Sequence, residues 1–354
     1  MKKIICQSLT ILCFSFFIFS KTNAQNVGIN ATGALPDASA MLHVDGGSKG
    51  FLVTGSPGGG VPDLGPGSRL MFYPANAAFR AGNVTGTQWN NINVGLYSVA
   101  MGNNTIASGN SSTAMGINTV ASGAFATATG FSSTASGIFS TAMGLNTIAS
   151  GANSTAMGSF VSTNLKTGAF IIGDQFGTGS TSSADNEMTM GFSGGFRLYT
   201  NPSAVTGAFL PANGNAWVSI SDVNRKENFE PLDGEEVLQK FSKINFTSWN
   251  YKQQDPKIYR HYGIMAQDFY KAFGHDQFGT VGNDTTVNPI DMIGIDMTAI
   301  QALEKRTADL KNENDRLKAS VAELQKKFTD QQKLIDKILN DTNKANKTAA
   351  FIKQ

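Results

Sequence analysis

The fold of the N-terminal half is decided by residues 112–123, which read STAMGINTVASG, and by residues 140–151, which read STAMGLNTIASG. The triplet Ala-Met-Gly recurs at 100–102, 114–116, 142–144 and 156–158, with Ala128-Thr129-Gly130 in the gap. The triplet Ala-Ser-Gly recurs at 107–109, 121–123, 135–137 and 149–151. Both triplets have a period of 14 residues, so glycine stands at every seventh position from Gly95 to Gly158. Such self-similarity indicates a repeat architecture.

The repeat predicts a narrow parallel β-roll. A period of seven also occurs in coiled coils, but Gly, Ser and Thr are poor helix formers and the large apolar core residues are missing. We expect two short strands per coil, each turned by a glycine with positive φ, and about four to five coils that make a stub of roughly 20 Å. Small residues should point inward: Ala107, Ala114, Ala121 and Ala135. Because so thin a roll exposes its strand edges, we expect three copies to pack together.

Composition changes near residue 220. Residues 1–220 hold 14 charged side chains and 32 of the 38 glycines, whereas residues 221–354 hold 40 charged side chains, 20 of each sign. We predict seven segments: a signal peptide (1–24), a β-rich collar (25–94), the repeats (95–164), a β-rich connector (165–218), an α+β unit (219–299), a coiled coil (300–340) and a tail (341–354).

Residues 1–24 are typical of a secretory signal peptide. Lys2 and Lys3 precede a largely apolar run from Ile4 to Phe19, and the stretch 22–24 offers a cleavage site after Ala24. An uncleaved membrane anchor is the alternative, but the run is short for a membrane span. We therefore expect a protein that is secreted or held at the cell surface.

The mature chain is expected to contain no metal and no cofactor. Both cysteines, Cys6 and Cys13, lie in the signal peptide, which excludes a disulfide framework and a Cys-based metal site. His43 and His275 are isolated from each other, so they do not indicate a metal site either. No basic stripe supports nucleic-acid binding, and no segment after the signal peptide is apolar enough to span a membrane.

Residues 300–338 predict a coiled coil. Position a of the heptad holds Ile300, Thr307, Asn314, Val321, Phe328 and Ile335, and position d holds Leu303, Leu310, Leu317, Leu324, Gln331 and Ile338. Asn314 would fix the register at some cost in stability. The alternative is one amphipathic helix packed on its own domain, which more than five heptads without a helix breaker disfavour. A coiled coil requires partner chains, and three is the number that the β-roll also favours.

Ser221 and Lys226 are the candidate reactive residues, in the sequence Ser-Asp-Val-Asn-Arg-Lys. A serine hydroxyl is a weak nucleophile until a base accepts its proton. A lysine can be that base only when its amine is neutral, and Ser–Lys pairs are a known variant of the catalytic triad. The spacing alone is unspecific, because it fits a solvated loop at a domain junction equally well.

The repeats resemble a known family. The run from Ser111 to Gly116, followed by Ala121-Ser122-Gly123, is similar to the head repeats of YadA-like trimeric autotransporter adhesins. The resemblance covers about residues 95–164. It implies a left-handed parallel β-roll in each of three chains and an adhesin-like head or stalk, without naming a ligand.

The C-terminal part resembles a second family. Ser-Asp-x-x-x-Lys-x-Asn is followed by Phe-x-x-Trp-Asn-Tyr-Lys at 246–252, His-x-Gly-x-x-Ala-Gln-Asp at 261–268, Ile290-Asp291 and the coiled coil. This order resembles the intramolecular chaperone, auto-processing domain of phage endosialidase tailspikes and other tail fibres, over about residues 219–310. The resemblance implies that the domain trimerises the fibre and that a Ser–Lys dyad then cleaves the chain at the serine. Ser221 and Lys226 stand at those two positions.

Two details bear on the dyad. The family often has an arginine soon after Ser-Asp, where this chain has Val223, with Arg225 two places later. Ser219 is a second nearby hydroxyl that fits the motif less well. The family places the cut at the serine. Attack on the carbonyl of the preceding residue passes through a five-membered ring, whereas attack on the serine's own carbonyl would need a four-membered one.

His261 and Gln267 have two interpretations. His261 could lie near the dyad and assist it, with Gln267 holding the imidazole, or both could serve as hydrogen-bonded packing residues, which we favour. Trp249 and Tyr251 are expected in the core.

Three functions fit these observations. The first is a secreted trimeric surface fibre, adhesin-like, whose C-terminal domain assembles the trimer and cleaves the chain at Ser221. The second is a tail-fibre protein that binds or hydrolyses glycans, which needs a paired-carboxylate cleft, although residues 25–220 hold only six acids. The third is a permanent trimer that is never cleaved.

Overall fold

The computed structural model describes residues 26–56, 58, 62–174 and 179–352. The signal peptide predicted for residues 1–24 lies outside these residues. The chain divides into two compact units, and the boundary falls between Ile220 and Ser221. The change in composition near residue 220 therefore coincides with a structural boundary.

The first unit begins with two pairs of short strands. β1 (Val27–Asn30) and β2 (Leu42–Asp45) pair in parallel. β3 (Gly67–Tyr73) and β4 (Ala78–Val84) form an antiparallel hairpin, and β4 also pairs in parallel with the first strand of the repeat region. The segment predicted as a β-rich collar thus supplies the strand on which the repeats stack.

The repeats fold as a β-solenoid with one long and one short strand in each coil. In chain order the strands are β5 (Val99–Asn103), β6 (Ile106–Ala107), β7 (Thr113–Ile117), β8 (Val120–Ala121), β9 (Thr127–Phe131), β10 (Thr134–Ala135), β11 (Thr141–Leu145), β12 (Ile148–Ala149), β13 (Thr155–Ser159) and β14 (Val161–Ser162). Neighbouring coils pair in parallel and in register, so Ala100 lies beside Ala114 and Ala114 beside Ala128. The prediction of two short strands per 14-residue coil is confirmed.

The solenoid has a narrow interior lined by small side chains. The four alanines predicted to point inward are completely buried, and so are the equivalent residues of the other coils: Ala100, Ala128, Ala142, Ala149 and Ala156. Serine and threonine fill the remaining interior positions, among them Ser98, Ser112, Ser140 and Ser154. The hydroxyl groups of these four serines donate to backbone carbonyl oxygens, which offsets the cost of burying them.

The seventh-position glycines are needed for two different reasons. Gly116 has a φ of +117°, which glycine adopts readily. Gly109 has no such φ, but a Cβ atom there would overlap the carbonyl oxygen of Gly123 in the next coil. The close approach of the coils therefore excludes a side chain throughout the column, and positive φ adds a second reason at alternate glycines such as Gly116. The expectation that every strand is turned by a glycine with positive φ was incomplete.

The corners of the coils are turned by residues other than glycine. Left-handed φ values near +55° recur every seventh residue, at Tyr97, Asn104, Ser111, Asn118, Phe125, Ser132, Phe139, Asn146, Asn153 and Phe160. The rings of Phe125 and Phe139 stack on consecutive coils with their centroids 4.7 Å apart. Asparagine tolerates this conformation, but phenylalanine does so only where the surrounding ladder fixes the backbone.

The solenoid continues beyond residue 164. Three further strands extend the ladder: β15 (Phe170–Gly173), β16 (Ser180–Thr181) and β17 (Met188–Gly191). Thr155 pairs with Phe170 and Phe170 with Met188, so the coil lengthens from 14 to 15 and then to 18 residues. The repeat disappears from the sequence where the ladder persists, which is why a separate connector was predicted from residue 165.

A buried arginine closes the solenoid at its N-terminal end. Arg80 on β4 is completely buried. Its guanidinium donates to the carbonyl oxygens of Phe79, Ser98 and Ala107 and to the hydroxyl of Ser98, at 2.8–3.1 Å. Burial lowers the pKa of Arg80 to about 10. The long side chain fills the interior where the alanine column has not yet begun.

The first unit ends in a small antiparallel sheet. Its strands are β18 (Gly195–Tyr199), β19 (Gly207–Pro211) and β20 (Val218–Ser219). β19 lies in the middle, and Phe209 of β19 pairs with Val218 of β20. Only Ile220 separates β20 from the unit boundary.

The second unit combines helices with a short hairpin. Its elements are α1 (Gly234–Phe241), β21 (Thr247–Trp249), β22 (His261–Gly263), α2 (Ala266–Phe273) and α3 (Pro289–Ile352). Asp233 starts α1 by accepting hydrogen bonds from the backbone N–H groups of Glu235 and Glu236. A common core holds Val237 of α1, Ile244, Phe269 and Phe273 of α2, and Ala299 of α3. The helix over 266–273 is confirmed, whereas the predicted helix at Val237 to Ile244 begins and ends three residues earlier.

α3 is a single helix of 64 residues. Its first turns pack on α1, where Arg306 forms an ion pair with Glu235. Beyond them the heptad positions project into solvent: Leu310, Leu317, Leu324 and Phe328 are between 59% and 70% exposed. The segment predicted as a tail from residue 341 is helical through Ile352.

Candidate functional site

Ser221 and Lys226 lie together at the start of the second unit. The Nζ atom of Lys226 is 2.7 Å from the Oγ atom of Ser221, within hydrogen-bond distance. The two residues flank a 3₁₀ turn, Val223–Arg225, with only Asp222 between the serine and the turn. The turn reverses the chain, so that the long lysine side chain reaches back to the serine hydroxyl.

Asp222 holds this turn. Its Oδ1 atom accepts hydrogen bonds at 3.0 Å from both the backbone N–H and the side-chain amide of Asn224. Its Oδ2 atom lies 3.9 Å from Nε of Arg225. The backbone N–H of Lys226 donates to the carbonyl oxygen of Val223 at 3.2 Å and closes the turn. Position 223, where the family often has arginine, thus lies inside the turn, whereas Arg225 points its charge at Asp222.

The site is open to solvent in the single chain. Ser221 and Lys226 are both exposed, as is the whole of residues 221–230. Across the described ranges of the chain, Lys226 forms no salt bridge with a carboxylate. The arrangement provides a hydroxyl nucleophile and an adjacent amine, which can accept the hydroxyl proton once the amine is neutral.

His261 packs against aromatic rings. Its imidazole stacks on the indole of Trp249, with centroids 4.7 Å apart, and contacts the ring of Tyr251 at 5.6 Å. Nε2 of His261 and Nε1 of Trp249 are both buried without a hydrogen-bond partner in the described structure. Gln267 lies in the first turn of α2. Tyr251 is 61% exposed in the single chain, so the expectation that it lies in the core was wrong.

The carboxylates of the solenoid hold turns. Asp174 accepts hydrogen bonds from the backbone and hydroxyl of Ser193, and these bonds lower its pKa. Glu187 accepts from the backbone of Ser183 and Ala184, and its pKa is lowered for the same reason. A glycosidase needs a carboxylic acid with a raised pKa as proton donor. Asp174 and Glu187 do not have this property.

Two further features of the described residues concern metal binding and membrane crossing. Within residues 26–56, 58, 62–174 and 179–352, no group of three or more His, Cys, Asp or Glu side chains could hold a metal ion. Over the same residues, no helix combines the length and apolar character that a membrane crossing requires.

Sequence reasoning missed Asp222 and Arg80. The signal for Asp222 was present, since Asp followed two residues later by a turn residue is typical of a side chain that caps a turn. Arg80 carried no comparable signal, because a lone arginine in a Gly-rich stretch is normally exposed.

Two family models match the chain. The YadA head domain repeat matches residues 94–118, 107–133 and 135–160. The chaperone of endosialidase matches residues 221–276, so its match begins at Ser221. No curated protein is similar enough to the chain to count as a match. Proteins with such domains are typically extracellular or exposed at a surface. The chain therefore carries YadA head repeats followed by a chaperone-of-endosialidase domain, an order that supports a trimeric protein of the adhesin or tail-fibre type.

Proposed function

We propose that the protein is a secreted homotrimeric surface fibre whose C-terminal unit assembles the trimer and then cleaves the chain at Ser221. The observation that carries the proposal is the 2.7 Å contact between Nζ of Lys226 and Oγ of Ser221 at the first residues of the endosialidase-chaperone match. The unit boundary between Ile220 and Ser221 supports it, because a cut there separates two compact bodies.

The cleavage chemistry follows from the two residues. Oγ of Ser221 attacks the carbonyl carbon of Ile220 through a five-membered ring, and the neutral amine of Lys226 accepts the hydroxyl proton. The C–N bond between Ile220 and Ser221 breaks as the nitrogen takes up that proton, which leaves an ester between the Ile220 carbonyl and Oγ. Water hydrolyses the ester. The products are a carboxylate at Ile220 and a free amino terminus at Ser221, so each chain reacts once.

Trimer formation gives a reason for the order of events. The site is exposed in the single chain, where water solvates the ammonium form of a lysine. Neighbouring chains that cover the site would favour the neutral amine. Cleavage would then follow assembly, and loss of the assembly unit would leave a fibre that refolds poorly once unfolded, which is kinetic stability.

Two exposed apolar surfaces support a trimer. On α3 the seam of a and d residues is unpaired in the single chain, as the exposure of Ile300, Leu310 and Leu317 shows.

The second apolar surface lies on the solenoid. Met101, Met115 and Met143 project from the long strands in one column, each about 40% exposed. No Asp, Glu, Lys, Arg or His stands between Arg80 and Lys166, so copies of the solenoid can approach without like-charge repulsion. A coiled coil of three α3 helices would bring three solenoids into register, which lowers the entropic cost of assembling them.

The proposal is tested by intact mass of the secreted protein. Wild type should give two fragments that meet at the Ile220–Ser221 bond, and Ser221→Ala should give one full-length chain. Lys226→Arg should also remain intact, because a guanidinium does not lose its proton. Ser219→Ala is the matched control, since it removes the neighbouring hydroxyl and should cleave like wild type. A single full-length mass from wild type would reject self-cleavage and favour the permanent trimer.

A further inference from the structure

The turn that joins the dyad residues depends on one side chain. Ser221 precedes the 3₁₀ turn Val223–Arg225 and Lys226 follows it, so the distance between the two functional groups is set by the turn. A turn of three residues is marginal unless a side chain satisfies the N–H groups at its start. Here Oδ1 of Asp222 accepts two hydrogen bonds from Asn224, one from its backbone N–H and one from its side-chain amide.

We propose that Asp222 is a positioning residue for self-cleavage: its carboxylate caps the 3₁₀ turn and thereby holds the amine of Lys226 at the hydroxyl of Ser221. This inference rests on the proposed function and adds to it a residue that touches neither reacting atom. The carboxylate acts through the turn, because Asp222 and Lys226 form no salt bridge. Its carboxylate oxygens contact Asn224 and Arg225 instead.

The direction of the carboxylate matters for the chemistry. A carboxylate in contact with a lysine stabilises the ammonium form and opposes its use as a base. Capping engages the Asp222 carboxylate with the backbone N–H and the side-chain amide of Asn224, and Arg225 at 3.9 Å supplies a second attraction. Position 223, where the family often has arginine, holds valine in this chain. Arg225 nevertheless places a guanidinium 3.9 Å from the carboxylate of Asp222, which caps the turn.

Cleavage rates of four variants test the inference. Asp222→Ala removes the cap and should slow cleavage roughly fivefold or more, the fold-change expected from loss of a capping interaction. Asp222→Asn and Asp222→Ser retain an oxygen that can accept from the N–H of Asn224, so both should restore most of the rate. The matched control is Asp255→Ala, because Asp255 caps a turn of the same unit by accepting from the N–H of Lys257 at 2.9 Å. It should cleave at the wild-type rate.

The outcomes separate a positioning role from the alternatives. Wild-type cleavage in Asp222→Ala overturns the inference and leaves the proposed function intact. Slow cleavage in all three Asp222 variants also overturns it, since the charge and not the cap would then matter. Slow cleavage in Asp222→Ala with recovery in Asp222→Asn and Asp222→Ser supports it.

A second measurement does not need cleavage. In the Ser221→Ala protein, which stays intact, the backbone N–H of Asn224 should exchange slowly with solvent, and the further change Asp222→Ala should accelerate its exchange several-fold. Unchanged exchange at Asn224 would overturn the capping role even if wild type never cleaved. The exchange of Lys257 in the Asp255→Ala variant provides the matched comparison.

Discussion

The hydroxyl of Ser140 donates to the carbonyl oxygen of Gly137 at 2.7 Å, inside the solenoid. The hydroxyl groups of Ser98, Ser112 and Ser154 likewise donate to the carbonyl oxygen of the glycine three residues earlier, at 2.6–2.7 Å. Ala126 takes the equivalent position in the coil between Ser112 and Ser140, where no hydroxyl is available. One coil of the column therefore lacks the hydroxyl that its neighbours have, and this difference gives two opposite predictions.

Ser140→Ala should lower the free energy of unfolding of the first unit by about 1 kcal/mol, and Ala126→Ser should raise it by a similar amount. The reason is that a buried hydroxyl to carbonyl bond is lost in one variant and gained in the other. Chemical denaturation of both proteins in the Ser221→Ala background measures the effect on one intact species. If Ala126→Ser destabilised the unit, the interior of that coil would be too narrow for a hydroxyl and the argument would be wrong.

Gly116→Ala should destabilise the first unit by about 3 kcal/mol or more. The φ of +117° strains an alanine, and the added Cβ would overlap the carbonyl oxygen of Gly130 in the next coil. Gly194→Ala is the matched control, because Gly194 has open space around its Cβ position and no positive φ. Thermal unfolding should separate the two variants clearly, and equal melting temperatures would contradict the close approach of the coils.

The ion pair between Glu235 and Arg306 predicts a pH dependence. Arg306 donates through Nε to both carboxylate oxygens at 3.0 Å, and these bonds lower the pKa of Glu235 and raise that of Arg306. A carboxylate whose folded pKa is lowered stabilises the fold above its unfolded pKa, and that stability is lost as the pH falls through the folded value. Protection of residues 234–241 against hydrogen exchange should therefore weaken below about pH 4.5, near the ordinary value for glutamate.

Glu235→Gln should abolish this dependence. In this variant the protection of residues 234–241 at neutral pH, relative to the intrinsic exchange rate at that pH, should resemble the protection of wild type in acid. The reason is that the neutral amide no longer attracts Arg306. Lys240→Gln removes the neighbouring pair of Lys240 with Glu236 on the same helix and serves as control. A pH dependence that persisted unchanged in Glu235→Gln would assign it to another group.

Asn314→Ile should raise the melting temperature of the trimer. Asn314 occupies an a position of the proposed coiled coil, where an apolar β-branched residue packs better. Asn312 lies two residues earlier on α3, at the outward position f of the preceding heptad, so Asn312→Ile is the matched control and should give no gain. Light scattering of both variants, beside wild type, reports whether the oligomer is still a trimer. A monomer in all three proteins would remove the basis of the proposed assembly.

Much of the solenoid was predictable because small residues recur in the sequence at the period of its coils. The 14-residue spacing of Ala107, Ala121 and Ala135 indicated an interior column, and the structure buries all three. The end of the solenoid was not predictable in the same way, because backbone pairing of Thr155 with Phe170 does not depend on which side chains stand there. Phenylalanine at left-handed corners was equally hidden, since local preference argues against it and only the assembled ladder imposes it.

The candidate site was predictable only through resemblance. Spacing alone could not distinguish Ser221 and Lys226 from any serine and lysine five residues apart. The turn that brings their functional groups to 2.7 Å depends on Asp222 and Asn224, and their spacing indicates a capped turn without indicating which serine and lysine it brings together. The resemblance singled out these two positions, and the turn is what brings their functional groups together in the structure.

The in-register ladder also sets how the length of the protein can change. Each 14-residue coil presents to the next the same row of backbone groups that it receives from the one before. Tandem duplication or loss of one such coil would lengthen or shorten the shaft by about 4.8 Å while both ends keep their native neighbours. The length of the solenoid can therefore change in fixed increments while the end closed by Arg80 and the whole second unit stay unchanged.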